Sequence, residues 1–350
     1  MTSIRITKPA QITPMRTAEV VEGQRAPGGS SNVRDRGGVA RAPGTAPHSL
    51  PDCPLPAVVV NPSNVGDVAK LQTQIATVCA ELGWASPLWL ETTVEDPGGG
   101  QARIALAAGA DVVLVCGGDG TIRHVAQVLA GSGTALGLLP AGSGNLLARN
   151  LAIVLGDTAR ATRIALSGSN RAIDVGRVMI DDRAEEQVFM VMAGLGFDAA
   201  IMAGAPHEMK ARLGPLAYFI SGLRALKGPR APIDLAVDGR IEPRRQVRTV
   251  VVGNCGRLLA GLVLMPAARV DDGLLDVVTI GPKGIFGWLA VTARVLARRC
   301  RGHEIVQHWQ GRTVIISTEA PELAQLDGDP VGEVRALRMR VDRGALLVRV

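Results

Sequence analysis

Apolar positions recur along this chain in two registers that change near residue 165. On the N-terminal side, short continuous apolar runs alternate with stretches of helical spacing. Residues 57–60 form a buried-type run closed by Asn61-Pro62. Residues 68–82 carry apolar side chains at helical intervals and stop at Gly83, a C-cap signal. A strand is predicted at 88–90 and a helix at 101–108, ended by Gly109. The run 111–116 is wholly strand-like and enters Gly117-Gly118-Asp119-Gly120-Thr121 directly; a helix follows over 122–130. A strand at 135–139 leads into Pro140-Ala141-Gly142-Ser143-Gly144-Asn145 and a further helix. Such alternation predicts a parallel α/β sheet.

Beyond residue 165 the runs shorten and become β-branched: 173–175, 188–191, 233–237, 248–252, 274–280, 313–317, 337–341 and 345–350, separated by turn residues. They predict a mainly antiparallel β-sandwich, interrupted by helical patterns at 207–227 and 285–301. Residues 1–50 show no sustained period and are rich in Gly, Pro, Arg, Ser and Thr, the composition of a disordered tail. Three regions are therefore expected: a basic tail at 1–50, an α/β domain at 51–165, and a β-rich domain at 166–350. The last strands of the third are free to pack back on the second.

Composition narrows the function classes. Of 350 residues, 47% are hydrophobic but only 3% aromatic, so Ala, Val, Leu, Ile and Gly must build the core, which suits buried parallel strands. The net charge of +6 invites anionic partners. Part of it sits in the tail, where Arg5, Lys8, Arg16, Arg25, Arg34, Arg36 and Arg41 outnumber Glu19, Glu22 and Asp35. Without RNA-recognition aromatics, zinc-finger spacing or a helix-turn-helix pattern, no nucleic-acid partner is expected. Cys53, Cys79, Cys116, Cys255 and Cys300 form no CxxC pair and read as reduced thiols. No apolar run approaches the ~20 residues of a spanning helix, and a signal-peptide core is not seen. The expected location is the cytoplasm, with any membrane contact peripheral.

Three loops follow successive strands of the α/β region: Asn61-Pro62-Ser63-Asn64, Gly117–Thr121 and Gly142–Asn145. In an open parallel sheet, ligands bind at the carboxyl ends of strands. Glycines there let backbone N–H groups converge on an anion, and each following helix aims its N-terminus at the same place. The absence of GxxxxGK[ST] excludes a Walker-type site. Asp119, set amid phosphate-cradling glycines, suits a metal or a proton transfer, or else caps its helix.

Gly117-Gly118-Asp119-Gly120-Thr121 followed by Pro140-x-Gly142-x-Gly144-Asn145-x-x-Ala148-Arg149 resembles the catalytic domain of the diacylglycerol kinase/sphingosine kinase family and its bacterial soluble lipid kinases. The first string alone also occurs in NAD kinases and phosphofructokinases; the second separates the lipid kinases from both. Asp174-x-Gly176, Gly194-x-Gly196-Phe197-Asp198, Asp271-Asp272-Gly273-x-Leu275-Asp276 and Leu326-Asp327-Gly328 extend the resemblance over about residues 55–350. It implies an NAD kinase/phosphofructokinase-like nucleotide domain, and ATP- and Mg²⁺-dependent transfer of the γ-phosphate to a lipid hydroxyl at the membrane surface, with the peripheral contact at the inner membrane face. Diacylglycerol or a related lipid is the expected acceptor. An NAD kinase-like or other small-molecule kinase, or a non-catalytic nucleotide or lipid sensor, is the alternative. A homodimer is admitted as an assembly.

Residue by residue, the resemblance assigns Gly117, Gly118, Asp119, Gly120 and Thr121 to the nucleotide phosphates. Gly142, Ser143 and Asn145 form the second contact, Asn61 stands in the first nucleotide loop, and Thr92 or Thr93 follows the second strand. It favours Asp327 as the base that takes the lipid hydroxyl proton, with Asp119 serving Mg²⁺; the reverse assignment stays open. A structural Mg²⁺ would be held by Asp272 with the carbonyls of Arg269 and Leu274, where an ordinary Asp-Gly turn is the plain alternative. The chain departs from the family's strings at Arg123-His124, where Asn-Glu commonly follows Gly-Gly-Asp-Gly-Thr-x. It departs again at Asp329, where Glu ends Asp-Gly-Glu. Asp329 is expected to keep a metal-side role with altered reach. The segment 207–227 is apolar with basic margins and is expected to form an interfacial helix at the lipid entry.

Overall fold

A computed structural model of the chain describes residues 53–196, 230–257, 263–281 and 306–350. The expected tail at 1–50, the expected helices at 207–227 and 285–301, and Phe197, Asp198 and Cys300 lie outside these residues.

The alternation read from the apolar pattern is realised as β1 (Pro56–Val60), α1 (Val68–Glu81), β2 (Leu88–Glu91), α2 (Gly99–Ala107), β3 (Val112–Gly117), α3 (Asp119–Leu129) and β4 (Ala135–Pro140). α4 (Leu146–Asn150) and α5 (Thr158–Ser167) follow. The four strands are parallel in the order β2-β1-β3-β4. Successive side chains of β1 enter different cores: Ala57 and Val59 join one apolar cluster, Val58 and Val60 another. This is why the strand is apolar at every position instead of alternating.

The second half is antiparallel. Its strands are β5 (Asn170–Ile180), β6 (Gln187–Phe189), β7 (Met192–Gly196), β8 (Ala231–Val237), β9 (Arg240–Ile241), β10 (Arg245–Val247), β11 (Thr249–Gly253), β12 (Leu275–Ile280), β13 (Val306–Gly311), β14 (Thr313–Leu326) and β15 (Asp329–Arg349). They pair in the order β13-β12-β11-β7-β14-β15, with β5 on β15 and β8 on β14. β15 also pairs in parallel with β4, at Val348 against Leu136, so parallel and antiparallel strands share one sheet. A single apolar cluster runs from Ala57 and Val113 through Ile122 and Leu146 to Met192, Val251 and Val278.

Asp174-x-Gly176 is a structural staple. One Asp174 oxygen accepts from Gly273 N–H at 2.6 Å and the other from Gly344 N–H at 2.8 Å, so β5 pins the turn before β12 to the bend in β15. Gly176 leaves room for the Phe189 ring, with which an added Cβ would collide.

Candidate active site

Three strand ends place their loops against one another. Asn61 N–H bonds the Cys116 carbonyl at 2.9 Å, continuing the β1–β3 pairing into the loops, and the Asn61 side chain donates to Thr121 Oγ1 at 3.3 Å. Its Oδ1 accepts from Ser63 N–H at 3.0 Å. Thr92 is buried at the end of β2, its N–H on the Val60 carbonyl. Thr93 instead receives Asp96 N–H on its hydroxyl, which turns the chain toward α2.

Gly118 caps α3 with extended backbone (φ −87°, ψ −179°) and offers no side chain to the helix N–H groups. A Cβ added at Gly118 would meet only Gly142 Cα at 3.8 Å and Asn64 Nδ2 at 3.9 Å, so the cradle is open. At Gly142 the situation is reversed: an added Cβ would stand 2.6 Å from Gly118 Cα, and only glycine lets the second and third loops approach so closely. Asn145 adopts the left-handed conformation (φ 49°, ψ 46°) and turns its amide back on the loop. Its Oδ1 accepts from Gly142 N–H at 3.0 Å and its Nδ2 donates to the Gly142 carbonyl at 2.7 Å. Asn145 therefore shapes the loop with both ends of its side chain, while Ser143 lies exposed at its tip.

The three acidic residues singled out in the sequence converge, although Asp327 and Asp329 lie some two hundred positions from Asp119. Asp119 opens α3 and accepts from Leu146 N–H at 2.7 Å, tying α3 to α4. Burial, then the negative charge of Asp327, push its carboxyl up to about 6, against the pull of the Leu146 and Leu147 N–H groups and with a smaller push from Asp329. Asp329 lies over Gly120, where an added Cβ would meet its Oδ2 at 2.7 Å. Its side chain is 45% exposed and is held by Arg123 at 3.1 Å.

Asp327, the base favoured by the sequence, is bound by backbone N–H groups. The residue is 5% exposed, in the left-handed region (φ 51°), and its carboxylate accepts from Met190, Val191 and Met192 N–H at 2.7, 2.8 and 2.9 Å. Burial pushes its carboxyl up, while the three donors and the Arg123 charge pull it down. Its visible work is to fix the link between β6 and β7 beneath the site. Nothing in the sequence marks this, because the donors are backbone groups from residues 135–137 positions away.

Arg269, Asp272 and Leu274 fall in one turn before β12. Asp272 Oδ1 accepts from Leu274 N–H at 3.0 Å, as an Asp-Gly turn requires. Burial, then the charges of Asp276 and Asp174, nevertheless push the Asp272 carboxyl up, against the Leu274 N–H and the Arg269 charge. Asn254, absent from the sequence reading, is wholly buried; its Nδ2 binds the Asp174 and Met190 carbonyls, and its Oδ1 has no partner.

Two family models divide the chain between them: the diacylglycerol kinase catalytic domain over residues 56–178, and the YegS C-terminal NAD kinase beta sandwich-like domain over 190–350. The chain is 35% identical over 289 residues to a Pseudomonas aeruginosa protein named "Probable lipid kinase YegS-like", covering 79% of this chain and 88% of that one. It is 36% identical over 174 residues to a "Diacylglycerol kinase" of Mycobacterium tuberculosis. That match takes in 49% of this chain but only 56% of the relative's length. The crystal structure of a diacylglycerol kinase from Bacillus anthracis superposes with a TM-score of 0.65 at 23% identity, over 84% of this chain and 96% of that one, and shares the fold.

Proposed function

This chain belongs to the diacylglycerol kinase and YegS-like lipid kinase family, and on that premise we propose that it moves the γ-phosphate of ATP onto a lipid hydroxyl, diacylglycerol being the first acceptor to test. The observation that carries the nucleotide half is the open cradle at Gly118, framed by Asn64 and Gly142, at the uncapped N-terminus of α3. Backbone N–H groups there suit an anion, and no side chain fills the space. Asn61, Thr92 and Thr121 are proposed for the first side of the cradle, and Gly142, Ser143 and Asn145 for the second.

Among the described residues, no group of three His, Cys, Asp or Glu side chains could hold a metal alone. Mg²⁺ commonly takes one or two carboxylates with the remaining ligands from phosphate oxygens and water, and Asp119, buried and short of countercharge, fits that demand. Bound Mg-ATP supplies the phosphoryl group and most of the charge that stabilises its transfer. Asp119 fixes the α3–α4 corner and would offer its carboxylate to the metal. Asp329, the exposed member of the three, is the acceptor proposed for the lipid hydroxyl proton, and Asp327 holds the floor on which both stand. Asp272 with the Arg269 and Leu274 carbonyls is proposed as a separate, structural Mg²⁺ site. Among the described residues no helix is long and apolar enough to cross a membrane; the lipid would be met by peripheral contact at the cytoplasmic face.

Radiolabelled ATP with Mg²⁺ and mixed micelles of a total lipid extract tests the reading. A labelled lipid is expected, with label absent when Mg²⁺ is chelated. Label appearing on NAD or a soluble alcohol instead would move the assignment to the small-molecule kinases.

A further inference from the structure

The chain departs from its family's motif strings at Arg123, His124 and Asp329, and the structure brings all three together. Arg123 Nη2 stands 3.1 Å from Asp329 Oδ2 and 3.5 Å from His124 Nε2. The Arg123 side chain is 6% exposed, although it carries a permanent charge. Buried arginines are rare unless paired, because desolvating the guanidinium is costly. Asp329 is the one carboxylate recorded within ion-pair distance of Arg123 among the described residues, and the Arg123 Nε is buried without a partner. This is an under-committed cation on the first turns of α3, the helix that opens at the cradle. Its field reaches beyond the pair: it offsets part of the upward push that burial gives the Asp327 carboxyl, and it adds to burial in opposing protonation of His124.

Aspartate is one methylene shorter than the glutamate common at position 329. Arginine is far longer than the asparagine common at 123. The long cationic arm from α3 spans what the short acid cannot, and lays the carboxylate over Gly120.

We propose that Arg123 is a positioning residue for phosphoryl transfer, forming with Asp329 a charge pair that replaces, as a unit, the Asn/Glu combination of the family's strings. The proposal rests on the reading of Asp329 as the acid that meets the substrate hydroxyl. Either change alone would misplace the carboxylate. With Arg123 kept, the longer side chain of D329E would be driven onto Gly120; with Asp329 kept, loss of Arg123 would leave the acid unheld. Misplacement of a reacting group by about 1 Å can lower rate by about 10²-fold.

The test is a double-mutant cycle on the full-length protein, with diacylglycerol in mixed micelles as acceptor and melting temperature recorded for every variant. R123N and D329E are each expected to lower kcat by about 10- to 100-fold with little change in KM for ATP. The double variant R123N/D329E is expected to recover to within about threefold of the starting protein, far above the product of the two losses. R123M, which keeps the volume and removes a buried ion, guards against a folding defect in R123N; it is expected to fold and to show the same loss of kcat. Wild-type kcat in R123M, or strictly multiplicative losses in the folded double variant, would overturn the pairing. A starting protein that labels no lipid would instead sink the function proposed above, and the cycle would then be read on the Mg-ATP-induced shift in melting temperature. There, additive effects of the two substitutions overturn the pairing and coupled effects support it.

Discussion

Asp119 and Asp327 are both buried acids at one site, yet their surroundings predict opposite responses to amidation. Asp119 has a folded-state value of about 6 against 3.8 for the ordinary side chain, so the folded protein holds its proton more tightly than the unfolded chain. That contribution favours folding fully below pH 3.8 and is lost as pH rises through about 6. The difference between the two limits is up to about 3 kcal/mol, taking roughly 1.4 kcal/mol per unit, so at pH 7.5 the ionised group is that much worse than a neutral one. Asp119→Asn keeps one oxygen for Leu146 N–H at some cost to the Leu147 N–H, removes the charge, and is expected on balance to raise the melting temperature at pH 7.5 while abolishing turnover. The gain should vanish below pH 4. Asp327→Asn also removes a charge that burial penalises, since burial pushes that carboxyl up as well, but it costs a backbone partner. Its amide would aim N–H at one of three backbone donors, leaving a buried donor unpaired at about 1–3 kcal/mol. Melting curves of both variants at pH 4 and 7.5 check the pair; destabilisation by Asp119→Asn at the higher pH would contradict the electrostatic account.

At the scale of the element, the loop between β3 and α3 gives the cleanest separation of folding from binding. The Gly118 backbone is extended and admits any residue, and a methyl there touches nothing closer than 3.8 Å. Gly118→Ala should therefore fold at least as well as the starting protein, with a gain of about 0.4–1 kcal/mol from the stiffer unfolded chain. The same methyl occupies the cradle, so the stabilisation by Mg-ATP, about 2.7 kcal/mol at a hundredfold excess over Kd, should shrink or disappear. An undiminished shift would place the phosphates elsewhere. The sequence discloses this loop because its neighbours carry strong local signals: a fully apolar strand before it and a helical period after it. Other elements are illegible for local reasons. β7 is Met-Ala-Gly-Leu-Gly, without a β-branched residue, and β13 carries Gln307, His308 and Gln310 in an edge strand. The apolar pattern splits β15 into two strands because Asp342-Arg343-Gly344 looks like a turn; the structure keeps one strand and absorbs the break as a register shift against β5 between Asp342 and Leu346. The site divides along the same line. Its glycine loops are visible in the sequence, whereas the grip on Asp327 and the Arg123 pair depend on the tertiary fold.

At the scale of the whole molecule, the fold depends on one strand. Among the described residues, β15 alone joins the parallel strands to the antiparallel ones within the sheet, through Val348 against Leu136. The same strand begins at Asp329, whose carboxylate lies at the α3 turn, and pairs along its length with β14 and β5. The position of the proposed proton-accepting carboxylate is thus tied to the seam that holds the two halves together. Val348 has no exposed surface and packs in the cluster that spans both halves. Burying an unpaired carboxylate there is among the most damaging single changes, with an expected loss above about 4 kcal/mol. Trp89 reports on the parallel half and Trp309 on the antiparallel half, so each can be followed in a variant keeping that tryptophan alone. In the starting protein, urea unfolding seen by the two probes should coincide, because the shared cluster and β15 make the transition cooperative. Val348→Asp should separate the curves or lower both midpoints together. Probes that disagree already in the starting protein would show that the two halves unfold independently, and that the carboxylate over α3 is held by Arg123 more than by the sheet.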